Sequence, residues 1–158
     1  MMDRTAKDRT AIERLLETNH YLVLGTSDTT GRPWVSPVFF AAFGTERVCW
    51  VSSPDSRHSR NIAERAAIAI TVFDSTVAVG RAEAAYFDAE AGRAAPPEVE
   101  AALRALNARL PGDKQLVVDD LQPAGPLVVY LAELRHRYVL VRGGDPDHGN
   151  DLDMTLEV

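Results

Sequence analysis

The sequence predicts a mainly β, α+β domain closed into a small barrel, and three observations predict it. Short apolar runs rich in Val, Ile, Phe and Thr recur at close spacing between residues 21 and 141. Turn chemistry separates several of them, with Asp28, Gly31 and Pro33 in one gap and Gly44 in the next. Helices are few, with helical patterning in only three short stretches, which with the closely spaced strands suggests a small barrel.

Residues 6–18 begin the chain as a helix, because Ala11, Ile12, Leu15 and Leu16 recur at helical spacing with charges between them. Tyr21–Thr26 reads as a strand, 27–33 as a hairpin loop, and Trp34–Phe43 as a second strand. Gly44-Thr45-Glu46 turns the chain into a third strand, Arg47–Ser52. Ser56 is a plausible N-cap for a helix running to about Arg65. Ile68–Phe73 alternates cleanly, and a further strand is expected from Val77 to Phe87. Pro96 and Pro97 open a helix whose Val99, Leu103, Leu106 and Leu110 form one stripe, stopped by Pro111-Gly112. Leu127–Leu131 and Tyr138–Val141 supply the last strands. Residues 1–142 form one domain, and the polar, acidic tail 143–158 is expected to lack regular structure.

The 158 residues are enough for one domain with a proper core. A net charge of −6 argues against nucleic-acid binding through a basic surface. No apolar run reaches membrane-spanning length, and residues 1–10 are charged rather than signal-like. A single cysteine, Cys49, excludes an intrachain disulfide and reads as a buried strand residue, so a reduced cytoplasm is the expected compartment. The four histidines, His20, His58, His136 and His148, show no metal-ligand spacing, and no metal is expected. The aspartate-rich run 145–153 lacks the glycine and glutamate positions of a calcium loop. No nucleophile–base pair is legible, so no catalytic residue is assigned.

The most informative stretch runs from Trp50 to Ile62: the end of an apolar strand, a tight turn and a helix start. Arg57, His58 and Arg60 crowd the first turn of that helix, where the macrodipole and free N–H groups disfavour cations. A bound phosphate would reverse the sign of that argument. The alternative is that Arg57 and Arg60 are solvated or paired with Asp55 and Glu64, a nearly neutral arrangement. Pro37 inside an apolar strand implies an edge strand or a bulge. Trp34 and Trp50 are core, interface or ring-bordering residues.

Two blocks carry a family resemblance: Gly31-Arg32-Pro33-Trp34-Val35-Ser36-Pro37-Val38-Phe39, and Ser52 to Ile62. With the element order, they make the chain similar to the flavin-binding split-barrel family related to pyridoxamine 5′-phosphate oxidase, over about residues 10–87 and more weakly 125–142. The resemblance implies a six-stranded, Greek-key split barrel with flanking helices, dimerising with FMN at the subunit interface. It places Pro37, Val38 and Phe39 along the flavin ring, Val51 and Ser52 against the cofactor, and Arg57 and His58 on its phosphate, with Ser56 and Asn61 as lesser contacts. The family usually has lysine where this chain has His58; a histidine still donates a hydrogen bond, with pH-dependent charge. The family's substrate-phosphate lysine corresponds to Phe39 here, and its arginine–histidine pair to Glu133 and Arg135, with His136 adjacent. Those departures argue against the vitamin oxidase activity itself. The expected function is that of an FMN-dependent oxidoreductase acting on a small molecule. The alternatives are a deazaflavin-dependent reductase, which would draw on Arg32, Arg60 and Arg81, or a non-catalytic flavin- or haem-binding carrier or sensor.

Overall fold

The computed structural model describes residues 3–158. Helix α1 (Arg4–Thr18) buries Ile12, Leu15 and Leu16 on one face. Strands β1 (Tyr21–Ser27), β2 (Pro33–Phe39), β3 (Ala41–Phe43) and β4 (Arg47–Ser52) follow. Helix α2 (Arg57–Glu64) leads into β5 (Ala67–Phe73) and β6 (Ala84–Arg93). Helix α3 (Pro96–Asn107) precedes β7 (Val128–Val141) and β8 (Met154–Glu157). All named strand pairs are antiparallel, in the order β2-β1-β5-β6-β7-β4-β3, with β8 added to β7. Six of these strands curl into a split barrel; β3 and β8 are short additions. The strands β2 and β4 approach each other without a hydrogen-bonded ladder, which is the split.

Alternation along the strands fills the interior. Leu22 and Leu24 of β1, Val48 and Trp50 of β4, Ile70 and Val72 of β5, and Phe87 of β6 point inward. Trp50 is fully buried and stacks on Tyr130 of β7, ring centroids 5.8 Å apart. A second cluster lies on the other face of β4, where α3 lays Ala102, Leu103 and Leu106 over Cys49 and Val129. The apolar stripe of α3 is therefore core packing. Burial pushes the Cys49 thiol up to about 12, so it stays protonated and inert, as the sequence implied.

The hairpin between β1 and β2 is built by Asp28, whose carboxylate accepts hydrogen bonds from the Thr30 and Arg32 amides. Gly31, at φ 86°, supplies the left-handed residue the turn requires. The strand β2 pairs only with β1, so Pro37, opposite Val23, sits on an edge where no donor is missed. Arg109, just beyond α3, donates to the carbonyls of Phe40, Glu17 and Asn19 and covers the Phe40 ring. It locks the end of α1 to the β2–β3 corner.

Four sequence expectations are corrected. The strand expected over Trp34–Phe43 breaks at Phe40, whose amide turns to the His20 carbonyl and whose ring is fully buried. The strand expected from Val77 starts only at Ala84. Before it, Asp74 nucleates a turn with Thr76, Gly80 adopts φ 85°, and Val79 stands in solvent. The two strands expected over 127–131 and 138–141 are one strand, β7. A bulge shifts the register so that Asp88 faces His136 while Ala89 faces Leu134, leaving Arg135 as the extra residue, tied to Glu90 and Glu133. Finally, the acidic tail carries β8, with Met154 and Leu156 packed on the core.

Replacing Trp50 with alanine is expected to destabilise the chain by about 3–5 kcal/mol, as for other buried aromatics. Urea denaturation measures it, and a loss below about 1 kcal/mol would remove Trp50 from its central place.

Candidate functional site

The junction between β4 and α2 gathers the polar residues that the sequence singled out. Ser56 caps α2: its hydroxyl oxygen accepts from the Ser59 amide, and its own proton goes to the Ser53 carbonyl at 2.9 Å. The Ser59 hydroxyl lies 2.8 Å from Ser56 Oγ. His58 turns inward, its Nε2 lying 2.9 Å from Ser52 Oγ and 3.3 Å from Ser56 Oγ. Asn61 follows one turn later and donates from Nδ2 to Thr26 Oγ1 on β1, at 3.0 Å. Ser52, His58, Ser59 and Asn61 are all buried, so α2 brings a polar face to one end of the barrel and satisfies it through hydroxyls.

Arg57 points the other way, its guanidinium 4.2 Å from the centre of the Trp34 ring on β2. Among the described residues neither Arg57 nor Arg60 has an ion-pair partner within 4.0 Å, so the pairing with Asp55 or Glu64 does not form. The nearby Asp28 carboxyl is held below its usual range by the Thr30 hydroxyl first, and Arg57 adds to the effect. The stack leaves Arg57 splayed beside the helix start. The amides of Arg57 and His58 have no partner among the described residues, as expected of a first helical turn. A guanidinium, two free amides and serine hydroxyls are a donor set that suits a phosphate.

Five of the nine predicted contacts gather in one place and the other four do not. Ser52, Ser56, Arg57, His58 and Asn61 come together at the β4–α2 junction. Strand alternation sends Val38 into the main core but turns Pro37 and Phe39 to the outside of the sheet. Phe39 meets Tyr21 edge-on there, at 6.4 Å. Val51 lies on the α3 side of β4, with the second cluster. Thr26 and Ser59 were missed in the sequence, since isolated hydroxyls in a strand and a helix carry no pattern of their own. Trp34, open in the sequence between a core, interface or ring-bordering place, is 41% exposed, and its register with Thr26 brings it beside Arg57.

The outer face of β1, β2 and β5 is apolar and open. Tyr21, Val35 and Phe73 are 62%, 68% and 46% exposed. A groove of about 280 Å³ runs beside them, floored by Gly25 and Ala69 and walled by Val23, Val35, Tyr86 and Tyr138. No helix among the described residues is long and apolar enough to cross a membrane.

The antiparallel ladders curl into a split barrel that carries a strand–turn–helix junction at the end of β4, and this is the class of fold the chain adopts. The sequence model of the pyridoxamine 5′-phosphate oxidase family matches residues 9–130, and the chain belongs to that family. No curated protein matches it. Solved structures share the fold at low identity. A heme binding protein from Mycobacterium smegmatis superposes with a TM-score of 0.74 at 17% identity, over 99% of this chain and 60% of that one. A putative 5-nitroimidazole antibiotic resistance protein from Bacteroides thetaiotaomicron gives 0.71 at 16%, over 84% and 83%. An F420 reductase gives 0.59 at 22%, over 79% and 94%. Identities this low establish the fold alone.

His58 is held below its ordinary value of 6.5 by burial. The unfolded chain therefore takes up its proton first, and stability is lost as pH falls below 6.5. Nuclear magnetic resonance titration of the His58 ring should give a midpoint below 6.5. A midpoint above that value would mean a charged imidazole at the junction and an anionic neighbour to hold it.

Proposed function

We propose that this chain is an FMN-binding oxidoreductase acting on a small molecule, working as a homodimer with the cofactor at the subunit interface. The observation that carries the reading is the β4–α2 junction, where Arg57 stands beside the free first-turn amides and the Ser52–His58–Ser56 cluster lies on the buried side of the same helix start. Family membership supports a flavin. Arg57 and the α2 amides would hold the phosphate, with His58 offering a neutral N–H. Bound FMN would supply the hydride and electron transfer, and the chain would supply orientation. The unpartnered apolar face of β1, β2 and β5 supports the second subunit.

The names of structural neighbours keep two other cofactors in view, a deazaflavin coenzyme and haem. Haem needs an axial ligand with a free ring nitrogen; His148 has both nitrogens taken, by Asp145 and Asp8, whereas His58 and His136 each keep one. The preference for the flavin therefore rests on the Arg57 junction. The substitutions at Phe39, Glu133 and Arg135 favour a substrate other than pyridoxamine phosphate.

Titration of the stripped protein with FMN, a deazaflavin coenzyme and haem tests the cofactor. FMN should saturate at one per subunit, and Arg57→Ala should weaken it at least about tenfold, the loss of a charged hydrogen bond. An unchanged dissociation constant would remove Arg57 from the phosphate site, and preference for another group would replace the chemistry. Val35→Glu should convert a dimer to a monomer in sedimentation analysis. A wild-type monomer with FMN bound would overturn the shared site.

A further inference from the structure

The tail after β7 is fastened in a way that neither the fold nor the cofactor site requires. Gly143 and Gly144 turn the chain back, and Asn150 bridges the turn by donating to the Arg142 and Leu152 carbonyls. His148 then inserts against α1 with its side chain only 8% exposed. Its Nδ1 lies 2.9 Å from Asp145 Oδ1, and its Nε2 lies 3.3 Å from Asp8 Oδ2. Asp8 is itself a buried position on α1. Beyond this cluster β8 pairs with β7 from Tyr138–Glu157 to Val141–Met154, and the Val158 amide donates to the Arg137 carbonyl.

We propose that residues 143–158 form a proton-sensitive strap, in which the Asp8–His148–Asp145 cluster fastens β8 to the barrel and loss of the imidazole proton loosens it. A protonated ring donates from both nitrogens and satisfies both carboxylates. A neutral ring has one N–H and can serve only one, leaving the other carboxylate facing a lone pair in a mostly buried place. The two carboxylates sit on opposite ring nitrogens, so they do not converge as ligands on one ion.

The surroundings reinforce the sign. Carboxylates of Asp3 on the α1 side, Glu83 before β6 and Glu157 on β8 line the same two cavities, and Asp147 in the tail pairs with Lys7 at their edge. Lys7, Arg4 and Arg142 are the cations there; Lys7 is engaged by Asp147 and Arg142 by the Gly80 carbonyl. The Asp145 hydrogen bond first, with Asp8 adding to it, holds the imidazolium above the ordinary histidine value of 6.5. The strap is therefore fully fastened below 6.5 and loosens as pH rises through the folded midpoint. Cavities of about 110 and 460 Å³ flank the cluster, so little close packing opposes the opening. His136 of β7 also meets Glu157, but that pair is more than half exposed and contributes little.

The test uses the full chain. Ring-proton titration by nuclear magnetic resonance resolves His148 from His136, and amide exchange, normalised to the intrinsic rate at each pH, follows Val158. His148 should titrate above 6.5, with Val158 protection falling at least about tenfold through the same midpoint and the amides of β1 and β5 unchanged. Asp8→Asn should lower both the midpoint and the protection at pH about 6. Should that variant fail to fold, Asp145→Asn serves in its place. A midpoint at or below 6.5, flat Val158 protection, or a loss shared with β1 and β5 would each overturn the strap.

Discussion

The strand β7 is the constraint on which the rest of the molecule depends. It is 14 residues long, and three other strands read their register from it. One edge pairs with β6 along most of its length. The other is divided, with β4 taking Val128–Glu133 and β8 taking Tyr138–Val141. The bulge at Arg135 separates the two halves by bending the strand, which lets one chain segment serve both sides of a curled sheet. Through the Trp50–Tyr130 stack, β7 fixes β4, and β4 ends at Ser52. The position of the polar junction is thus set by core packing, with α2 added at the end of a strand that has no freedom left.

Two histidines show how local surroundings assign opposite duties to one side chain. His58 is enclosed by hydroxyls, which solvate a neutral ring without opposing charge, and burial disfavours its proton. His148 lies between carboxylates, which reward the proton despite the loss of water. The first weakens the fold as pH falls below 6.5 and the second as pH rises through its folded midpoint, so the two contributions have opposite sign. They also lie on different elements, α2 and the tail, and share no partner.

Most of the fold was legible because alternation and turn chemistry are local. Asp28 with Gly31, Ser56 as a cap, and Pro96-Pro97 each act within a few residues, and each appears where the sequence implied. Most of the failures are non-local. Nothing in Arg135-His136-Arg137 says that a bulge will keep a charged run inside one strand; that follows from Glu90 and Glu133 across the ladder. Val77 and Val79 look like strand residues until Asp74 and Gly80 build turns around them. The tail was read as irregular from its charge, while its ordering comes from Met154 and Leu156 meeting a β7 edge that β4 leaves bare. At the site, spacing brought out the junction residues, but strand parity was needed to separate Val38 from Pro37 and Phe39.

The charge distribution supports one kind of ligand at the junction over another. The chain carries a net charge of −6, which repels an extended polyanion over most of its surface. Among the described residues Arg57 and Arg60 escape ion pairing, while Arg14, Arg47, Arg135 and Arg137 are neutralised by Glu83, Glu98, Glu90 and Glu46. Unpaired guanidinium charge beside free helix amides is favourable to a compact anion that fits the turn and contacts little else. The ring of Trp34 keeps Arg57 extended in the absence of an acidic partner, so the guanidinium is already ordered before any ligand arrives. A small phosphorylated cofactor meets those conditions. A nucleic-acid backbone does not, because its affinity would have to come from many phosphates and this surface can neutralise only a few.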